Sequence, residues 1–431
     1  MTNLLLGFAI LVGVLTATLR VLNLRHLRRY GTVIPPDFAG VIDRATLSKM
    51  SAYTLDSIKL AIVSDLSSGV LTLVVLFGGL LEAYDGWISH FTQKFIAQGV
   101  LYFVFASWAL GIWSLPFSLY SNFVVEARHG FNRTSPRLFF SDFVKSVALT
   151  SLLIAILAAS ALFLVKTAGN AWWITVWALF LIFELVLMLI APTLIEPLFV
   201  KTTPLRIDEL AIEIRALAKR ASLRVNQVFQ VDASRRSGHT NAYFSGIGPV
   251  KRVVLYDTLL ERLTHAEILA VLAHELGHWK CRHILKRFAI FQCVAFAICF
   301  VSFRLINWEG LPGIIGASHA SFSMRVTVVM FLGSRVAFFL TPLISYGSRR
   351  HERQADSFAC ELIDSAVLAS GLVKLARDNL SNLHPHPLYA AWYASHPPVP
   401  ERVARLRALS AAHSAPLNAL RSDDVYSTKP I

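Results

Sequence analysis

The sequence predicts a mainly α protein, a polytopic bundle of seven membrane helices that carries a smaller polar α+β domain. Of its 431 residues, 55% are hydrophobic and only 16% are charged, whereas soluble domains carry about 25% charged residues. The mean hydropathy is +0.55. A water-soluble globule cannot hide that much apolar surface, and 29 Phe, 11 Tyr and 9 Trp are too many for a disordered chain. The composition therefore excludes both a soluble enzyme and a disordered protein.

Seven apolar stretches are long enough to cross a bilayer, which needs about 20 helical residues. They are Leu4–Leu24, Leu60–Leu81, Ile96–Tyr120, Val144–Val165, Trp172–Ile195, Leu285–Ile306 and Val326–Tyr346. The first stretch has no basic residue before it and is long, so we interpret it as a retained helix rather than a signal peptide.

The basic residues predict the orientation of these spans. The loops after the first and third spans are rich in Lys and Arg, whereas the loops after the second and fourth contain only Lys94 and Lys166. Because cytoplasmic loops carry the excess of basic residues, the N-terminus is expected outside. The same excess accounts for the net charge of +14, so that charge does not indicate a nucleic-acid partner. Two large polar segments are then cytoplasmic, Val200–Ile284 and Gly347–Ile431.

This orientation divides the chain into four parts. Residues 1–199 hold membrane helices 1–5 with their cytoplasmic loops, and residues 285–346 hold membrane helices 6 and 7. The remaining parts, 200–284 and 347–431, are expected to form the two portions of one cytoplasmic domain.

A metal-binding motif lies in the first polar segment. Residues 274–278 read His-Glu-Leu-Gly-His, an HExxH motif, and they follow a capping box at Thr264 and Glu267 that starts a helix. Because four residues make about one helical turn, His274 and His278 share a face and can bind one zinc ion. Glu275 lies nearby without being a ligand, where it can accept a proton from water activated by the metal. Chance alone predicts about 0.01 such motifs in a chain of this composition.

A catalytic zinc ion takes three protein ligands and keeps one position open. Glu352, just after the seventh span, is the best candidate for the third ligand, and Asp356 shares its helix face at i,i+4. Asp356 is then expected to accept the N–H of a ligand imidazole. The spacing is equally compatible with a solvated charged helix start. His351 and His283 are rival ligands, although His351 cannot face the metal together with its neighbour Glu352.

Short strands are expected before the HExxH helix, at 228–231, 242–245 and 252–255. An edge strand there can pair with an extended peptide and hold its scissile bond at the metal. We predict that the segment Asn241–Phe244 has this role, with Asn241, Ala242 and Tyr243 binding substrate. The alternative for Asn241 is a turn residue. Glu184, a carboxylate within the fifth span, is expected to line a cavity.

Together these residues resemble the type I CAAX prenyl protease family, integral-membrane zinc metallopeptidases that clip tripeptides from prenylated C-termini. The ordered set covers most of the chain. It consists of Glu126-Ala127-Arg128-His129-Gly130-Phe131-Asn132, Pro197-Leu198-Phe199, Asn241-Ala242-Tyr243-Phe244, Asp257-Thr258-Leu259-Leu260, HExxH followed by Trp279, Glu352-Arg353-Gln354-Ala355-Asp356 and Ser395-His396-Pro397-Pro398 with Arg402. For Glu126, His129 and Asn132 a structural polar network is the alternative to a functional role.

The resemblance implies further properties. It favours Glu352 as the third ligand of one Zn²⁺ per chain, in a gluzincin-like domain, and it implies that seven helices enclose a chamber with the zinc site at its cytoplasmic end. It also implies that His396 and Arg402 contact substrate or stabilise the oxyanion. The compact polar segments favour a bacterial inner-membrane protein over one of the endoplasmic reticulum.

The predicted function is that of a zinc metalloendopeptidase that cleaves near the C-terminus of prenylated or strongly apolar peptides. One alternative keeps the chemistry and makes the substrate a damaged membrane protein, as in quality-control proteases. A transporter or channel is a rival from another class, but no two related halves are visible. A non-catalytic zinc scaffold would need a fourth ligand, and the sequence offers three good candidates.

Overall fold

The computed structural model describes residues 1–225, 227–245 and 252–422. Seven of its helices are long and apolar enough to cross a membrane, as predicted. These are α1 (Thr2–Tyr30), α2 (Arg44–Phe77), α4 (Phe95–Tyr120), α5 (Pro136–Thr167), α6 (Trp172–Ile190), α10 (His283–Ile306) and α11 (Phe322–Leu362). The other helices are α3 (Leu80–Ser89), α7 (Asp208–Arg220), α8 (Asp257–Arg262), α9 (His265–Lys280), α12 (Ser365–Asp378), α13 (Pro387–Tyr393) and α14 (Val399–Ser422).

Two membrane helices differ from the predicted spans. The second span ends at Phe77 rather than at Leu81, because Gly79 adopts a left-handed conformation with φ of 78° that ends the helix and starts α3. The seventh helix does not stop at Tyr346, where the predicted span ends. It continues without a break as one 41-residue helix, α11, which carries Glu352 and Asp356.

The seven membrane helices form a closed ring. Each one contacts the next in chain order, α1 with α2, α2 with α4 and so on, and α11 returns to contact α1. Only 6–22% of the most apolar window of each span is buried, as expected when a helix has lipid on one side and an open interior on the other. The far end of the ring is closed by an apolar cluster that includes Tyr102, Met324 and Val328.

The loops sort to the two ends of the ring as their charges predict. At the far end, Ser318 donates to Glu82 (2.6 Å) and Ser321 to Asp85 (2.5 Å), joining the loops after the second and sixth spans. At the other end, Asn132, in the loop after the third span, forms an isolated β-bridge with Ser237 of the polar domain. The predicted grouping of the loops is therefore confirmed, while the side that faces the cytoplasm stays a prediction.

The polar domain combines a small sheet with helices. The strands are β1 (Thr202–Pro204), β2 (Gln227–Val231), β3 (Ala242–Ser245) and β4 (Arg252–Tyr256), in the order β1-β2-β4-β3. Strands β2 and β4 are parallel, and the other two pairs are antiparallel. All three predicted strands are confirmed, and β3 is an edge strand. The sheet, α7, α9 and α12 share one core of aliphatic side chains, which positions α9 beside the free edge of β3.

Candidate metal centre

Helix α9 begins with the predicted capping box. Thr264 accepts from the backbone N–H of Glu267 (3.4 Å), and Glu267 accepts from the backbone N–H of Thr264 (2.9 Å). Glu267 also accepts from Lys374 and Ser370 on α12, each at 2.8 Å. Burial raises the pKa of Glu267, but Lys374 and the capping bonds outweigh this and hold it below its usual value. These bonds fix the start of α9. From this start, the imidazoles of His274 and His278 face α11.

His274, His278 and Glu352 come together as a possible metal site. The Nε2 atoms of the two histidines are 3.3 Å apart, and each lies 3.3 Å from a carboxylate oxygen of Glu352. Tetrahedral ligands about 2.0–2.1 Å from a zinc ion lie roughly 3.3 Å from one another. Glu352 is 4% exposed and its buried Oε2 atom has no hydrogen-bond partner. Two imidazoles and one unsatisfied carboxylate fit a zinc ion that keeps one position open.

Gly277 permits the close approach of the two helices that carry these ligands. A Cβ atom at this position would lie 2.9 Å from the Cα atom and 3.0 Å from the carbonyl oxygen of Ala355. Carbon atoms in favourable contact are about 3.5–4.0 Å apart. The glycine within the motif therefore lets α9 pack directly on the backbone of α11, one turn from Glu352.

Asp356 and Arg402 surround the outer nitrogen of His274. Asp356 Oδ1 lies 2.8 Å from His274 Nδ1, and Arg402 binds Asp356 through both Nε (3.0 Å) and Nη2 (2.6 Å). All three residues are buried. Burial lowers the pKa of His274, but the neighbouring carboxylates of Asp356 and Glu352 outweigh this and raise it to about 9. Asp356 thus occupies the position expected of a carboxylate that orients a ligand imidazole.

The rival ligands lie on the outer side of His278. The Nδ1 atom of His283 is 3.0 Å from Nδ1 of His278, and its Nε2 atom is 2.9 Å from Oε1 of Gln354. The ring of His351 stacks on His283 with centroids 4.1 Å apart. The His278 ring therefore separates both histidines from the point that the three ligand atoms share.

Glu275 lines a cavity of about 230 Å³ beside the ligands. Asn241, Ala242, His396 and Arg402 also line it, and His396 Nε2 is 3.4 Å from Glu352 Oε1. Burial raises the pKa of Glu275, while the two imidazoles act in the opposite direction. A carboxylate of raised pKa next to a metal is suited to accept and return a proton.

Tyr243 does not join the other predicted substrate residues at this cavity. Its hydroxyl donates to Glu196, in the segment that follows the fifth span. Because side chains alternate along a strand, Tyr243 faces away from the side occupied by its neighbour Ala242. The cavity therefore offers no support for the predicted contact of Tyr243 with substrate.

Two further residues support the strand and were not singled out from the sequence. The side chain of Asn379, the residue that follows α12, binds Thr240 through the backbone N–H (2.9 Å), the carbonyl (3.1 Å) and the hydroxyl (3.1 Å). His239 stacks on Phe131 (centroids 3.9 Å apart) and lies 3.1 Å from Glu126. Nothing in the local sequence indicates a role for Asn379. His239, by contrast, could have been noticed as a histidine two residues before the predicted segment Asn241–Phe244.

The motif residues of the third loop form a polar network. Glu126 accepts from Tyr53 (2.7 Å), and His129 lies 3.2 Å from Asp56. Both contacts join the loop to α2, so the structure places these side chains in the structural role considered as the alternative. Within the fifth span, Glu184 accepts from Gln292 on α10 (2.7 Å).

Comparison with known proteins gives matches along nearly the whole chain. Residues 23–201 match a family described as the CAAX prenyl protease N-terminal region with five membrane helices, and residues 204–410 match peptidase family M48. A CAAX prenyl protease 1 homolog of Arabidopsis thaliana is 35% identical over 92% of this chain and 95% of its own length. The Homo sapiens homolog is 32% identical, over 89% and 91% respectively.

The structural comparison agrees with these relatives. The crystal structure of S. mikatae Ste24p is similar with a TM-score of 0.86 at 27% sequence identity, covering 93% of this chain and 97% of that one. The similarity therefore includes both the ring of membrane helices and the polar domain. The expected fold class is confirmed.

Proposed function

We propose a mechanism from one premise: this chain belongs to peptidase family M48 and is a membrane zinc metallopeptidase of the CAAX prenyl protease 1 type. In our proposal His274, His278 and Glu352 hold a single Zn²⁺. Asp356 orients His274, and Glu275 is the general base. The observation that supports this assignment is that the Nε2 atoms of His274 and His278 lie 3.3 Å apart and each lies 3.3 Å from one of the two carboxylate oxygens of Glu352.

The bound zinc ion would polarise the scissile carbonyl group and activate the attacking water. Glu275 accepts the proton of that water and returns it to the leaving amine, so that a neutral amine departs. His396 and Arg402 line the same cavity and are proposed to face the carbonyl oxygen as it gains negative charge. Arg402 is held for this role by its two bonds to Asp356.

The peptide is proposed to add to the free edge of β3. The carbonyl of Asn241 accepts from the backbone N–H of Tyr256 on β4, so the backbone groups of the next residue, Ala242, point to the open side. The N–H of Ala242 donates to the side chain of Asn241 (2.8 Å) instead of to a strand. An extended peptide can take over this donor, and the Asn241 amide is then free to bind the peptide backbone.

The cavity wall predicts an apolar side chain next to the scissile bond. Beyond the polar residues, the cavity is lined by aliphatic side chains: Leu259, Val271, Leu368, Leu372 and Leu375. Burying one aliphatic side chain there contributes about 1.5–3 kcal/mol. This wall favours substrates with Leu, Ile or Val beside the cleaved bond over those with charged residues.

The position of the site relative to the bilayer predicts a lipidated or strongly apolar substrate. Only Cys281 and Arg282 separate α9 from the sixth membrane helix, and Glu352 lies on the seventh membrane helix itself. A peptide can therefore reach the metal while its apolar tail stays among the spans. Each buried methylene of an attached lipid contributes about 0.8 kcal/mol, so a prenylated peptide should bind better than its bare form.

The decisive experiment is a competition in detergent between farnesylated and unmodified versions of one CAAX peptide, with products identified by mass spectrometry. We expect preferred cleavage of the farnesylated peptide, three residues from its C-terminus. Glu275→Gln is the matched control, because Gln is nearly isosteric but cannot accept the proton; it should keep zinc and lose cleavage. Equal cleavage of both peptides would reject lipid recognition and favour the quality-control function.

We propose that the N-terminus lies outside and that the site faces the cytoplasm, since the basic loops lie at the same end of the ring as the polar domain. The bacterial inner membrane stays a prediction. The transporter and channel alternative is set aside by membership of a peptidase family.

A further inference from the structure

The two ligand imidazoles are supported in different ways. Asp356 on α11 lies at the outer nitrogen of His274 (2.8 Å). The corresponding nitrogen of His278 meets no carboxylate within the described residues. Its neighbour is His283, the first residue of α10, which is 1% exposed.

The direction of each hydrogen bond follows from the metal site. Because Nε2 of His278 faces the other two ligands, a neutral His278 that binds zinc through this atom carries its proton on Nδ1. That N–H can only donate, so the facing Nδ1 of His283 (3.0 Å) must accept. The proton of His283 is then on Nε2, where Oε1 of Gln354 (2.9 Å) accepts it. Every donor in this chain of atoms meets an acceptor.

We propose that His283 is a positioning residue for the zinc ligand His278, held in its accepting tautomer by Gln354. This inference rests on the proposed zinc site and deepens it. Gln354 lies between Glu352 and Asp356 on α11. One stretch of five residues on that helix therefore supplies the third ligand, orients one imidazole directly and orients the other through His283.

The alternative roles of His283 do not fit its contacts. It cannot be a fourth ligand, because the His278 ring stands between its accepting nitrogen and the shared point of the ligands. A role in packing alone would be met by the stacking of its ring on His351 (4.1 Å), but packing does not require a nitrogen aimed at His278 and a second one aimed at Gln354.

Two substitutions of His283 test its hydrogen-bond acceptor and its aromatic ring separately. Asn places an oxygen near the position of Nδ1 but removes the ring, whereas Phe keeps a ring of similar shape that can stack on His351 but has no acceptor. The readout is the rate at which purified, zinc-loaded protein in detergent releases zinc to a chromogenic chelator. Loss of an orienting partner typically costs 10–100-fold in metal affinity. We expect about this acceleration for His283→Phe and a release rate within a few-fold of wild type for His283→Asn.

A third variant avoids the buried position altogether. Gln354 is exposed, so Gln354→Met should fold normally while leaving the Nε2–H of His283 without its acceptor; we expect zinc release several-fold faster. Arg353→Met is the matched control, because Arg353 pairs with Glu401 (3.8 Å) and not with the imidazoles, and its release rate should equal that of wild type.

The outcomes distinguish this inference from the zinc site itself. Wild-type zinc release from His283→Phe, or faster release from Asn than from Phe, would show that only the ring matters and would overturn the proposal. Equal acceleration in both variants would overturn it too. Failure of the wild-type protein to bind zinc would instead reject the metal site on which the proposal rests.

Discussion

The substitution Gly277→Ala tests whether the packing of α9 on α11 sets the geometry of the metal site. By helix propensity alone this change should stabilise α9 by about 1 kcal/mol. The contact with α11 predicts the opposite, because the new Cβ atom would lie 2.9 Å from the Cα atom of Ala355 and 3.0 Å from its carbonyl oxygen. Both are backbone atoms, so no side-chain rotation can relieve the overlap.

The required displacement is larger than a metal site tolerates. Carbon atoms make favourable contacts at about 3.5–4.0 Å, so the two helices must separate locally by roughly 0.6–1.1 Å. Ligand distances in a well-formed site hold within about 0.2 Å. His278 is the neighbour of Gly277 and Glu352 lies three residues before Ala355, so the shift moves the ligands of one helix away from those of the other. We expect zinc affinity to fall at least 10-fold.

The assay is zinc content after dialysis against a chelator, together with peptide cleavage at saturating zinc. Gly347→Ala is the matched control, since this glycine lies in α11 and its Cβ atom would meet nothing within 4 Å. It should leave both readouts unchanged. Ala355→Gly should not rescue Gly277→Ala, because the closest atoms are backbone. Wild-type zinc retention in Gly277→Ala would refute the claim that this approach sets the site.

Three further changes test other parts of the structure. Glu352→Ala should lose most of its zinc by metal analysis, whereas a zinc content equal to wild type would exclude it as a ligand. Glu267→Gln removes a carboxylate whose pKa is held down by Lys374; because charge-assisted hydrogen bonds contribute about 1.5–3 kcal/mol, its denaturation temperature should fall at neutral pH. A carboxylate whose pKa is lower in the folded state stabilises the fold at pH values above its unfolded pKa of about 4.3. This stabilisation is lost as the pH falls through the folded-state pKa. The denaturation temperatures of the variant and wild type should therefore converge in acid, and a constant difference would contradict this. A single cysteine at Gln93 should react with an impermeant reagent added from outside, whereas one at Arg133 should react only after permeabilisation. The reverse pattern would invert the proposed orientation.

Some of the site follows from the sequence because its signals are local. Two histidines four residues apart share a helix face whatever the fold. The capping box at Thr264 and Glu267 is likewise a matter of one helical turn, and the structure confirms it. The same spacing placed Glu352 and Asp356 on one helix face, but by itself it left open whether they meet α9 or begin a solvated charged helix.

Other parts of the site had no local signal. His283 was considered only as a rival ligand, five residues beyond His278, and its place between His278 and Gln354 depends on the angle between α9 and α10. The importance of Gly277 depends on the distance between α9 and α11, and Asn379 reaches Thr240 from 139 residues away. None of these contacts is encoded in a periodic pattern.

The sequence by itself determined the seven spans, the relative side of each loop, the edge strand and the identity of the HExxH helix, since apolar length, loop charge and residue spacing act within a few turns of chain. The tertiary structure decided which side chains complete the site. The ring of membrane helices brings α10 and α11 against α9, and only that closure places Glu352, Asp356 and His283 around the two imidazoles. Hydrogen bonds and metal ligation require atoms about 3 Å apart, and such proximity between distant segments is a property of the packed fold.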